Sequence, residues 1–182
     1  SPERLLDIMR NFSLFTSNDK KQRIKIIPRF QQYEGANKIV QRVIDGKIKK
    51  GLIWHFQGSG KSLLMVFAAQ KLRRESALKS PTVIVLVDRI DLDTQISGIF
   101  NASSIANVEP TNNIKELQKM LEQDTRKIII STIFKFRDAK PAMNTRDNII
   151  VLVDEAHRTQ EGDLGRQMRA ALPNAFLFGL TG

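Results

Sequence analysis

Five consecutive residues, Gly58-Ser59-Gly60-Lys61-Ser62, have the types needed to hold a phosphate chain. Glycine lets the backbone take positive φ and approach an anion closely. Successive N–H groups at a helix mouth then face the phosphates. Lys61 would reach the β- and γ-phosphates of a nucleoside triphosphate, and the Ser62 hydroxyl would ligate Mg²⁺. The full pattern G-x-x-x-x-G-K-[ST] asks for glycine at position 55, and this chain has His55. The bland alternative is a Gly-Ser turn before a helix. A second group, Asp154-Glu155-Ala156-His157, closes an apolar run over 148–154. Asp154 would hold Mg²⁺ through water, and Glu155 would orient and deprotonate an attacking water. Two acids at an exposed strand end is the commoner reading of such a pair alone. Together with the phosphate loop, the pair defines a site that hydrolyses nucleoside triphosphates. His157 has no second His or Cys nearby and is not read as a metal ligand.

These groups need a scaffold that brings them to one edge. The runs 51–56, 82–88, 127–133, 148–154 and 175–181 are apolar and rich in β-branched or aromatic residues. Continuous apolar strands are expected where both faces of a sheet are covered. Segment 105–109 is a further candidate strand. Helices are expected at about 60–75, 91–100, 112–123 and 162–172, and over 29–46 with Gly46 as the stop. Strand and helix in alternation imply an α/β fold, a parallel sheet with helices on both faces. Carboxylates at the C-terminal ends of such strands sit where ligands bind. Residues 1–28 read as a lead-in, a short amphipathic helix followed by a polar, basic connector closed by Pro28. The chain ends at Gly182, directly after an apolar strand, which suggests a piece of a longer protein.

Composition narrows the classes. The 182 residues contain no cysteine and two histidines, which excludes a disulfide framework, a cysteine nucleophile and a thiolate metal site. No apolar run approaches the ~18 residues of a membrane span, so a soluble cytoplasmic setting without a membrane partner is expected. The net charge is +10, and residues 20–50 carry most of it. Ten basic side chains there (Lys20, Lys21, Arg23, Lys25, Arg29, Lys38, Arg42, Lys47, Lys49, Lys50) stand against Glu34 and Asp45. Such a surface attracts polyanions, nucleic acid among them, or is simply a solvated helix face.

Asp-Glu-Ala-His after a phosphate loop is similar to helicase superfamily two, whose motors use two RecA-like lobes. The surrounding text resembles the motor (R) subunits of type I restriction enzymes. "GLIWHFQGSGKSLLMVFAA" resembles their motif I, where a Trp-His pair precedes the loop, so His55 is expected there. "VIVLVDRIDLDTQI" resembles motif Ia, "IIISTIFKF" motif Ib, and "VLVDEAHRTQEGDLGRQMRAALPNAFLFGLTG" runs from motif II into motif III. "PRFQQYEGANKIV" resembles the segment with the adenine-contacting glutamine. The resemblance covers nearly the whole chain, with its motifs in order.

The resemblance implies roles residue by residue. Gln32 is the candidate adenine reader, with Gln31 competing, and Arg29 flanks the base or a phosphate. Gly58, Ser59, Gly60, Lys61 and Ser62 hold the phosphates and Mg²⁺, with Lys61, Asp154 and Glu155 as the catalytic set. Thr181, at the motif III position, couples hydrolysis to lobe movement. Arg89, Gln95, Thr132 and Lys135 are candidates for DNA-backbone contact, which positions a motor without reading sequence. For Thr132 and Gln95 the bland reading is a cap or loop residue. The implied fold is a RecA-like P-loop NTPase lobe over 29–182, truncated at the start of motif III. Residues 1–28 would link it to a nuclease domain upstream. The implied subunit binds ATP and Mg²⁺, translocates double-stranded DNA and works beside methyltransferase and specificity subunits. Its second lobe, with the arginine finger, would lie outside this chain, so the fragment alone is expected to be inactive. Other superfamily-two DNA or RNA helicases, a basic DNA-binding module with a vestigial nucleotide fold, and a small-molecule kinase are the competing readings. The Trp54-His55 pair and intact Lys61, Ser62, Asp154 and Glu155 weigh against them.

Overall fold

The computed structural model describes residues 1–17, 22–56, 58–87, 98–100, 108–154 and 162–182. Six strands form one parallel sheet: β3 (Lys50–Trp54), β4 (Thr82–Val87), β5 (Val108–Pro110), β6 (Ile128–Thr132), β7 (Ile149–Val153) and β8 (Phe176–Thr181). Their order across the sheet is β3-β8-β7-β4-β6-β5. Helix α1 is Pro2–Asn11, α2 Phe30–Asp45, α3 Lys61–Arg74, α4 Ile114–Glu122 and α5 Asp163–Ala171. Gly46, at φ +67°, closes α2 with its N–H on Arg42 O, as its position suggested. Of the helix expected over 91–100, residues 98–100 are described and are helical, while 91–97 lie outside the described residues.

Central strands β4, β6 and β7 are buried at every position because each face carries a helical layer. Val83, Val85, Ile128, Ile130, Ile150 and Leu152 join the core under α2 and α3. Ile84, Leu86, Ile129, Ile149, Val151 and Val153 join the opposite core, under α4 and α5. Each such side chain gains roughly 1.5–3 kcal/mol from leaving water.

Two expectations need correction. Strand β3 is not covered on both faces. Gly51 and Ile53 turn to the α2–α3 layer, but Leu52 and Trp54 are 67% and 72% exposed. It is the edge strand, and neither α4 nor α5 reaches that end of the opposite face. The lead-in is not a connector outside the core either. The helix expected there stops at Asn11, and β1 (Leu14–Ser17) pairs antiparallel with β2 (Arg23–Ile26). Phe12 and Leu14 are fully buried, and the Phe12 ring lies 4.9 Å from Tyr33 and 5.6 Å from Phe67. The Asp7 carboxylate accepts from Lys71 Nζ at 2.7 and 2.8 Å, from the Tyr33 hydroxyl at 2.9 Å and from Asn11 at 2.8 Å. Burial disfavours that charge, but the Lys71, Asn11 and Tyr33 bonds outweigh it and hold the carboxyl below its ordinary range. Helix α1 is therefore fastened to both α2 and α3.

Candidate functional site

The phosphate loop follows β3 and opens α3, as its sequence requires. The His55 N–H donates to Thr181 O at 2.8 Å and carries the β3–β8 ladder one step past the Trp54–Thr181 pair. Ser59 N–H closes a turn on Phe56 O at 3.1 Å. Gly58 and Gly60 sit at φ +80° and +85°, the left-handed region that side chains disfavour. No side chain caps α3 and no acid occupies its first turn, so the positive end of a fourteen-residue helix opens on the loop.

Gln32 is locked against this loop. Its Oε1 accepts from Arg29 N–H at 2.8 Å, and its Nε2 donates to Gly60 O at 3.1 Å and more weakly to Ser59 O at 3.4 Å. The residue is 2% exposed. A Cβ on Gly60 would lie 2.3 Å from that Nε2, so Gly60 is needed for space as well as for φ. Close packing continues along the helices, where a Cβ on Gly35 would lie 2.7 Å from Leu64. Gln31 and Arg29, by contrast, are exposed. Sequence reasoning did not find this loop contact. Its only signal was a glutamine three residues past the N-cap Arg29 of α2, the spacing that reaches back to the helix mouth.

The sheet order assembles the other groups. Strand β8 lies between β3 and β7. The phosphate loop, Thr181 and Asp154 thus emerge at the C-terminal ends of three adjacent strands. Asp154 is 4% exposed, and its N–H donates to Leu86 O at 2.8 Å. Glu155, His157, Arg89 and Gln95 lie outside the described residues. Burial, helped by the charge of Lys61, pushes the His55 imidazole pKa down from its ordinary value. Among the described residues, two polar atoms of the loop are buried without a hydrogen-bond partner, His55 Nδ1 and Ser59 Oγ. Described residues include no cluster of His, Cys, Asp or Glu able to form a metal site by itself.

Beyond β4 from Asp154, the end of β6 holds Thr132 and Lys135. Thr132 is 3% exposed and stands at the N-cap position of the short helix that follows, the place the cap reading gave it. It is the last residue of β6, enclosed where the chain turns into the short helix Ile133–Phe136. Lys135 stays partly exposed, with Nζ donating to Thr111 O. Of the basic run, Arg23, Lys25, Lys38, Arg42, Lys47 and Lys50 are exposed.

The SWI2/SNF2 ATPase family model matches residues 31–182. The chain is 36% identical, over its whole length, to the type I restriction enzyme HindI endonuclease subunit of Haemophilus influenzae, of which it covers 20%. It is 35% identical over 98% of its length to the putative type I restriction enzyme MjaIXP endonuclease subunit of Methanocaldococcus jannaschii, of which it covers 18%. The chain thus spans about a fifth of these relatives. Among solved structures, the UvsW helicase of bacteriophage T4 superimposes over the whole chain and 60% of its own, with TM-score 0.64 at 16% identity. The Sulfolobus solfataricus SWI2/SNF2 ATPase core in complex with dsDNA matches 96% of this chain and 34% of its own, with TM-score 0.63 at 13% identity. At these identities the structures show the fold alone, an α/β domain of RecA-like architecture. No helix among the described residues is long and apolar enough to cross a membrane.

Proposed function

The chain belongs to the SWI2/SNF2 ATPase family, and we propose that it is the first motor lobe of a type I restriction endonuclease subunit, coupling ATP hydrolysis to translocation of double-stranded DNA. One observation carries this reading. A phosphate loop locked by Gln32, Thr181 and Asp154 meet at the ends of three adjacent strands, within a chain that aligns end to end with type I endonuclease subunits.

The residues present fit a Mg²⁺–triphosphate. Gly58 leaves open space where a Cβ would stand, the mouth of α3 is uncapped, and the buried Ser59 hydroxyl is unpartnered among the described residues. In this reading Lys61 neutralises the β- and γ-phosphates, and Ser62 and Asp154 would hold Mg²⁺, which when bound would supply further charge neutralisation. Glu155 orients and deprotonates water. Gln32 is the adenine reader and Gln31 the competing choice; Gln32 is bonded to the loop, whereas Gln31 is exposed. Thr181, fastened to His55 through the backbone, links the loop to the motif III strand. Lys135, with Arg89 and Gln95, faces the DNA backbone, and Thr132 supports that surface from beneath. Residues 1–28 join the lobe to a separate nuclease domain that cuts the DNA. Methyltransferase and specificity subunits complete a cytoplasmic complex.

The test uses the intact subunit. Glu155→Gln should keep ATP bound and cut turnover by ~10²–10⁴, the usual worth of general acid–base catalysis. Lys61→Ala should weaken triphosphate binding itself, by loss of a charge-assisted contact worth roughly 1.5–3 kcal/mol. Nucleotide binding by calorimetry beside steady-state turnover reads both. Lost binding with an intact bound-state rate in Glu155→Gln would overturn the assignment.

A further inference from the structure

His55 stands where the general phosphate-loop pattern has glycine, and the reading above gives its side chain no task. Its backbone is fixed by the bond to Thr181 O. Its ring lies close enough to Lys61 for that charge to act on it. Nδ1 is buried and has no hydrogen-bond partner among the described residues. Buried polar groups are almost always paired, and an orphan in a native fold calls for an explanation. A second orphan lies four residues on, the hydroxyl of Ser59, itself 4% exposed. A glycine at position 55 would carry no such cost, so the imidazole is retained against a penalty in the empty loop.

We infer that His55 is a phosphate-binding residue, whose Nδ1–H, with the Ser59 hydroxyl, donates to the nucleotide phosphate chain. The inference rests on the nucleotide-site reading above. Phosphate oxygens only accept hydrogen bonds, so the ring must present Nδ1–H, and a neutral imidazole has a tautomer that does so. A neutral donor also suits the place. A second full positive charge beside Lys61 would repel it, whereas an uncharged N–H adds a directed bond without that repulsion. The buried position keeps water from competing for the same bond.

The substitutions separate one ring nitrogen from the other. Asparagine can present a donor near the position of Nδ1, glutamine one near Nε2, and alanine neither. Binding of a slowly hydrolysed ATP analogue and of adenosine is measured by calorimetry on the intact subunit. The set is wild type, His55→Asn, His55→Gln and His55→Ala, with Lys61→Ala as reference. His55→Ala and His55→Gln should weaken the analogue roughly 3- to 10-fold, the worth of one neutral hydrogen bond. His55→Asn should stay within about 2-fold of wild type, and adenosine should bind all four alike. Space filling would instead be rescued at least as well by glutamine. The inference fails if His55→Ala binds the analogue like wild type, if His55→Asn is as weak as His55→Ala, or if adenosine weakens in parallel. Should Lys61→Ala also bind the analogue normally, the nucleotide site itself is misplaced. A weak Lys61→Ala beside unaffected His55 variants removes only the role of His55.

Discussion

The two ends of the sheet's C-terminal edge are built on opposite principles. At the β3–β8–β7 end, polar groups are left open. His55 Nδ1 and Ser59 Oγ are orphaned among the described residues, two glycines hold left-handed conformations, and α3 begins uncapped. At the β6 end, polar groups satisfy one another. Thr111 Oγ1 donates to Ile130 O at 3.1 Å and lies at hydrogen-bond distance, 2.9 Å, from the Ser131 hydroxyl, and Lys135 Nζ reaches Thr111 O. The first arrangement costs free energy in the empty protein, a cost that a bound anion would offset in the proposed function. The second stabilises itself and leaves one long cation at its rim. In the proposed function this difference would separate the jobs: a preorganised pocket for phosphate at one end, a surface that tolerates any sequence at the other.

The largest expected effect is at the open end. Gly60→Ala places a Cβ at φ +85° and 2.3 Å from Gln32 Nε2. The conformational strain alone is about 1–2 kcal/mol. In addition, Gln32 must give up its bonds to the loop. ATP affinity of the intact subunit should fall at least ~10-fold as the loop is displaced, and the melting temperature should fall too, by roughly 2–4 °C for each kcal/mol of strain. A melting temperature lowered with affinity preserved would make Gly60 a folding residue only. The smaller effect is at the closed end. Lys135→Ala should weaken duplex binding about equally across sequences and reduce the log–log salt slope by roughly 0.9, one phosphate's share. ATP affinity without DNA should not change. Duplex titrations at several salt concentrations read this, and an unchanged slope would move the DNA path away from the β6 end.

Much of this was legible before any coordinates. Five apolar runs became strands within one or two residues of their expected bounds, because a central parallel strand must be apolar on both sides. The phosphate loop was legible because few backbones other than a glycine-rich turn before a helix can cradle phosphate. What escaped depended on neighbours distant in sequence. Leu52 and Trp54 read as core because apolarity does not reveal that a strand lies at an edge. Phe12 and Leu14 read as connector because their burial comes from α2 and α3, more than fifteen residues away. The bond from Gln32 to Gly60 spans 28 residues and leaves no periodic trace. Thr132 was legible as a cap residue, but the turn that encloses it is a matter of packing.

The central claim is a motor lobe that spends ATP on duplex DNA. Its most direct test is ATP turnover by the intact subunit in its complex, with duplex DNA, with RNA of the same sequence and with neither. The account predicts strong stimulation by duplex DNA, none by RNA, and loss of the stimulated rate in Lys61→Ala. Equal stimulation by RNA, or a duplex-stimulated rate that survives Lys61→Ala, would contradict it.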